Sequence, residues 1–159
     1  MKKADNALNA ALKLLSYRRY TSFELVKKLT DRGFNENQIK STIKRLSELG
    51  YVEDEAILYD YSVYLAKEGL LGKFKIKEKL QRRGFNRAEI NQALKKIKTE
   101  VSFEESVSLW VKKKLKERKI SELSRKEKEK LVRFLINKGF ELATIVNILK
   151  IDKEGVYES

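Results

Sequence analysis

Leu25-Val26-Lys27-Lys28-Leu29-Thr30-Asp31-Arg32-Gly33-Phe34-Asn35-Glu36-Asn37-Gln38-Ile39 holds the pattern that decides the fold. Leu25 and Leu29 stand four apart and so share one helix face. Gly33 supplies the left-handed position that ends a helix without a Cβ penalty, and Phe34 can pack back on the last turn. Asn35, with Gln38 three residues on, is a capping box that opens a second helix. The same pattern returns twice. Arg83-Gly84-Phe85 and Lys138-Gly139-Phe140 repeat the landmark 51 and then 55 residues later. Around each glycine the apolar columns coincide: Leu25, Ile76 and Leu131 before it, then Leu29, Leu80 and Leu135; Ile39, Ile90 and Ile145 after it, then Ile43, Leu94 and Leu149. Gly33, Gly84 and Gly139 are therefore read as structural turns.

A further helix precedes each pair. Leu8, Ala11, Leu12 and Leu15 form the expected core stripe of the first. Ile57, Leu58, Tyr61 and Leu65 do so in the second unit, and Phe103, Val107, Trp110, Val111 and Leu115 in the third. Thr21 with Glu24, Asn86 with Glu89, Ser102 with Glu105 and Ser124 with Glu127 are further capping boxes; Glu141 is a poorer cap. The expected fold is all-α: about nine helices in three tandem three-helix, helix-turn-helix-like repeats, elongated and curved. Boundaries are expected near 1–53, 54–100 and 101–159. Units of this size have small cores, so neighbours should stack. The third departs by a charged insertion around Lys116 to Ser124, and the tail after Lys150 has few apolar anchors.

Charge narrows the function. The 159 residues carry 36 Lys+Arg against 23 Asp+Glu, a net charge of +13. The excess is +6, +3 and +4 over residues 1–50, 51–100 and 101–159, so it belongs to the whole chain and not to one tail. Such a surface favours a polyanion, nucleic acid or nucleoprotein. The dense stretches single out Arg18, Arg19, Lys27, Lys28, Lys73, Lys75, Arg82, Arg83, Lys112 and Lys113 as candidate binding residues, since Lys and Arg neutralise phosphates and release counterions. A lysine-rich helix face is also commonly just solvated, and Trp110 sits on an apolar stripe.

Other chemistry is set aside. With 0 Cys and 0 His there is no thiolate site and no imidazole base, and no nucleophile, base and orienting group share a spacing. No catalytic residue, cofactor or metal site is expected, and the chain is read as a non-enzyme. Glu53-Asp54-Glu55 with Asp60 are read as helix N-terminal dipole partners and not metal ligands. Gly69-Leu70-Leu71-Gly72-Lys73 lacks the spacing and the Ser or Thr of a phosphate loop. No apolar run suits a membrane span or a secretory signal, so a cytoplasmic protein without membrane contact is expected.

Each repeat also reads as a helix-turn-helix. Its second helix carries Lys40, Lys44 and Arg45 in the first copy and Arg87, Lys95 and Lys96 in the second, but little in the third. An autonomous DNA-binding transcriptional regulator is therefore the alternative reading.

One family shares these residues. Leu15-Ser16-Tyr17-Arg18-Arg19-Tyr20-Thr21-Ser22-Phe23-Glu24-Leu25, then Lys28-Leu29 and Gly33-Phe34, resembles the opening signature of the RecX regulatory proteins, roughly L-x-x-R-x-x-S-x-x-E-L before a K-L-x-x-K-G turn. Leu49-Gly50-Tyr51-Val52-Glu53-Asp54 resembles their L-x-x-x-G-Y-I-D-D junction, and Gly72, Ile76, Leu80 and Gly84 their G-x-x-x-I-x-x-x-L-x-x-x-G segment. Ile57-Leu58 stands where Phe-Ala is usual, and no proline precedes Gly72. The resemblance covers about residues 8–98. It implies tandem three-helix repeats and a regulator, most often an inhibitor, of the RecA recombinase. The implied partners are RecA and its filament on single-stranded DNA, with double-stranded DNA a further candidate; the chain itself is expected to be a monomer. Filament growth, strand exchange, ATP hydrolysis and cleavage of the SOS repressor would be hindered.

Overall fold

The three landmark turns have one geometry. Gly33, Gly84 and Gly139 stand at φ +84°, +93° and +90°. Each glycine N–H donates three residues back, to Thr30, Gln81 and Ile136, and each following phenylalanine N–H donates five back, to Leu29, Leu80 and Leu135. That is the Schellman closure of a helix C-terminus. In the computed structural model, which describes residues 6–151, these turns end the second helix of each triplet.

The helices are α1 (Ala7–Leu15), α2 (Ser22–Asp31) and α3 (Glu36–Glu48), then α4 (Asp54–Lys67), α5 (Lys73–Arg82) and α6 (Arg87–Ile97), then α7 (Phe103–Leu115), α8 (Arg125–Asn137) and α9 (Leu142–Leu149). The described residues contain no strand. Thr21, Asn35, Asn86 and Ser124 close complete capping boxes. Ser102 accepts from the Glu105 N–H, and Glu141 makes no side-chain cap. The charged insertion of the third triplet is pinned rather than loose. A 3₁₀ turn at Ile120–Glu122 leads to buried Leu123, and Arg118 pairs with Glu127 at 2.8 Å. The tail from residue 152 onward lies outside the described residues.

The apolar columns become the core. Leu25, Leu29, Ile76, Leu80, Leu135 and Ile145 are fully buried. Two clusters result. One is confined to α1–α3 and the turns beside them; the other runs from Ile57 to Leu149, so α4–α9 share a single core. The strongest helix packing lies inside each triplet, and α4 packs on α7 across the second boundary.

The core stripe of α1 differs from expectation. Ala7, Ala10, Ala11 and Leu14 are the buried residues, whereas Leu8, Leu12 and Leu15 are only partly covered. Apolar residues nearly encircle this helix, so periodicity did not choose a face. α1 packs on α3 and α2, and the leucines cover the flanks.

Candidate binding surface

The triplets are joined twice by the same device. At the first joint, the N-terminus of α2 docks on the landmark turn that follows α5. Thr21 Oγ1 donates to the Arg83 carbonyl at 2.9 Å, and the Phe23 ring covers Gly84. At the second, the N-terminus of α5 docks on the turn that follows α8. The Gly72 N–H donates to the Lys138 carbonyl at 2.9 Å, and the Phe74 N–H to the Gly139 carbonyl at 3.0 Å. Thr21 and Gly72 stand at the same repeat position, as do Arg83 and Lys138. The basic residue before each glycine lies over an aromatic of its own triplet: Arg83 over Tyr61 at 4.9 Å, Lys138 over Trp110 at 4.5 Å. The Trp110 indole N–H donates back to the Leu70 carbonyl at 2.8 Å.

The two joints differ in chemistry. The second continues a hydrophobic core; the first is polar. Glu24 accepts ion pairs from Arg83 at 2.9 Å and Arg18 at 3.1 Å, with only 16% of its side chain exposed. Arg83 also donates to the Arg19 carbonyl at 3.2 Å, and Arg19 pairs with Asp60 at 2.7 Å. Asp54 stands with Glu55 in the first turn of α4, as expected of a helix N-terminal dipole partner, and also accepts from the backbone N–H and hydroxyl of Ser22, the first residue of α2. Glu55 pairs with Lys96. The acidic cluster thus spreads over three separate partners and does not converge on a metal. Among the described residues no group of three or more carboxylates forms a metal cage.

These contacts sort the candidate cations. Arg18, Arg19 and Arg83 hold the first joint, and Lys73, paired with Glu141 at 3.2 Å, holds the second. Lys75 and Arg82 share Glu78. Lys28 lies over Tyr20 and Lys113 over Trp110. Lys27 and Lys112 are exposed and meet no acidic partner among the described residues. So are Lys40 and Lys44 on α3, Arg87 and Lys95 on α6, and Lys130 on α8. The sequence reading found the clusters but could not see which cations are spent internally. Nor did it single out Glu24, visible in the sequence only as a capping-box residue, as the node of a joint.

Burial pushes the Glu24 carboxyl up. Hydrogen bonds from Arg83, Arg18 and the Thr21 backbone outweigh it and hold the pKa at about 2, against 4.5 unperturbed. A carboxylate held low in the folded state contributes stability above the unfolded pKa and loses it as pH falls through the folded one. Stability of roughly 2 kcal/mol, allowing for partial exposure, should therefore drain between about pH 4.5 and 2. Glu24→Gln keeps the capping shape and should flatten this part of the curve in urea unfolding. An equal loss in both proteins would refute the role of Glu24.

Residues 7–46, which contain α1, α2 and most of α3, match the family model for the first three-helix domain of RecX. A regulatory protein RecX of Pelodictyon phaeoclathratiforme is 32% identical over 152 residues, covering 93% of this chain and 89% of that one. The chain belongs to the RecX family. A RecX of Legionella pneumophila is 29% identical over 145 residues, covering 91% and 93% of the two chains. The crystal structure of RecX from Lactobacillus salivarius superposes with a TM-score of 0.77 at 26% identity, covering 93% of this chain and 97% of that one. The all-α fold of the described residues, with its nine α-helices, is therefore that of RecX, and the relatives are named as regulatory proteins rather than enzymes. No helix among the described residues is long and apolar enough to cross a membrane.

Proposed function

We propose that this RecX chain binds RecA, free and as filaments on single-stranded DNA, and modulates it, chiefly by inhibiting its recombinase, ATPase and SOS-repressor coprotease activities. It acts in the cytoplasm as a monomer, without a cofactor and without chemistry of its own. The observation that carries the reading is membership of the RecX family over nearly the full chain, joined to unspent cations in all three triplets. Three modules linked head to tail can each bind weakly and still hold tightly, because every later contact forms at high effective concentration. An elongated, curved stack would span several protomers of a filament and reach the strand inside it. The three units near 1–53, 54–100 and 101–159 are the modules of this reading.

The transcription-regulator alternative gains nothing from α9. Its eight residues, Leu-Ala-Thr-Ile-Val-Asn-Ile-Leu, carry no charge, so the third second-helix is no groove reader.

Titrating the chain into RecA turning over ATP on single-stranded DNA tests the proposal. The rate should fall as the chain is added, at fewer chains than RecA protomers. An unchanged rate, with binding to one duplex sequence tighter than to random DNA by a factor of about 10³ or more, would favour the alternative.

A further inference from the structure

The second and third helices of the first two triplets enclose equivalent grooves, and the two are lined differently. Between α2 and α3 the groove has a volume of about 620 Å³ and an apolar floor of Val26, Phe34, Ile39 and Ile43. Between α5 and α6 it shrinks to about 280 Å³. Position by position, 51 residues on, Val26 becomes Lys77, Thr30 becomes Gln81, Glu36 becomes Arg87 and Lys40 becomes Asn91. The floor isoleucine persists as Ile39 and Ile90. The second copy is thus smaller and more basic, with Phe74 beside Lys77 and Arg87, while the first is wider and has four apolar residues on its floor.

On the rim of the first groove, Lys40 and Lys44 stand one helical turn apart, exposed and without an acidic partner among the described residues. The facing rim, Val26 and Thr30 on α2, is uncharged, and Val26 is 40% exposed. An apolar floor gives a sugar-phosphate backbone no hydrogen-bond donors. It does suit aliphatic or aromatic side chains presented from a helix.

We propose that the α2/α3 groove docks a segment of a partner protein: a helix with an apolar stripe seated on Val26, Phe34, Ile39 and Ile43, flanked by carboxylates one turn apart that meet Lys40 and Lys44. This deepens the functional reading above and rests on it, because it assigns the protein contact to the first triplet. Glu36 lines the same rim one turn before Lys40, so complementarity calls for carboxylates opposite Lys40 and Lys44 and none opposite Glu36; the occupant's apolar character follows from the floor. The equivalent groove of the second triplet is the internal contrast, since it presents Lys77 and Arg87 where the first presents Val26 and Glu36.

The test uses the full chain, fluorescently labelled, in two binding measurements: purified RecA without DNA, and oligo(dT) without RecA. Val26→Lys with Thr30→Gln places in the first groove two side chains that the second already carries at those positions, so folding should survive; circular dichroism melting checks it. This variant should lose tenfold or more in affinity for RecA and keep or gain affinity for oligo(dT). Lys40→Glu with Lys44→Glu should also lose RecA binding. Lys77→Gln, in the second groove, should leave RecA binding within about twofold. The proposal is overturned if Val26→Lys/Thr30→Gln binds RecA like the parent, if it loses both ligands equally, or if Lys40→Glu/Lys44→Glu binds RecA more tightly. Failure of the unaltered chain to bind RecA would instead remove the functional reading itself.

Discussion

Gly139→Ala should lower the melting temperature by roughly 10 °C, and Gly33→Ala by only about 3 °C. Both glycines hold a left-handed backbone, at φ +90° and +84°, so alanine costs each about 1–2 kcal/mol in backbone strain. Their surroundings separate them. A Cβ on Gly33 would meet nothing within 4 Å. On Gly139 it would stand 2.3 Å from the Lys75 backbone nitrogen, inside the joint between the second and third triplets. Backbone yields less readily than the end of a flexible side chain, so overpacking adds about 1–3 kcal/mol. At this chain length 1 kcal/mol corresponds to about 2–4 °C. Gly84→Ala should lose about as much as Gly139→Ala, because its Cβ would meet Cγ and Cβ of Phe23, the root of that side chain and not its free end. Differential scanning calorimetry ranks the three. Equal losses at Gly33 and Gly139 would mean that the landmark turns are only helix stops and do not serve as docking points.

That ranking also shows where sequence reading stops. The turns were legible because a helix end has a local signature: a glycine, a following aromatic and an Asn with Gln or Glu three further on. Their second use was not. Docking of one triplet's helix start on the next triplet's turn joins residues such as Thr21 and Arg83, 62 positions apart, and no local pattern encodes it. Gly72 illustrates the point. It reads as a loop glycine, yet a Cβ there would lie 2.2 Å from the Gly139 carbonyl carbon. The basic clusters were legible as composition, but the partner of each cation was not. Arg18 and Arg83 stand 65 positions apart in the chain and close on the one carboxylate of Glu24. Family membership was carried by short signatures in the first two triplets. The third, with its insertion and charge-free α9, keeps only the apolar columns, the Gly139-Phe140 landmark and the capping box at Ser124.

The sorting of cations changes which substitutions report on binding. Reversing Arg83 would strand Glu24 in the first joint and test folding. Lys27, Lys95, Lys112 and Lys130, spread over the three triplets, are exposed and unpaired among the described residues. Changing all four to Glu moves the net charge from +13 to +5, two units per site. None of the four supports a core contact, so the fold should persist. The loss should appear in binding instead. Each phosphate contact on a single strand contributes about 0.7 to the slope of log affinity against log salt, and several lost together weaken binding about 10²-fold at moderate salt.

The concentration of chain that halves RecA ATP hydrolysis on single-stranded DNA, measured over a range of salt, therefore tests the account most directly. For the unaltered chain the half-point should rise steeply with salt. For the four-fold Glu variant, shown by circular dichroism to melt as the parent does, it should already be raised at low salt and rise less steeply. A correctly folded variant that inhibits as fully as the parent, with the same salt slope, would contradict the claim that cations left free by the fold carry the chain onto the filament.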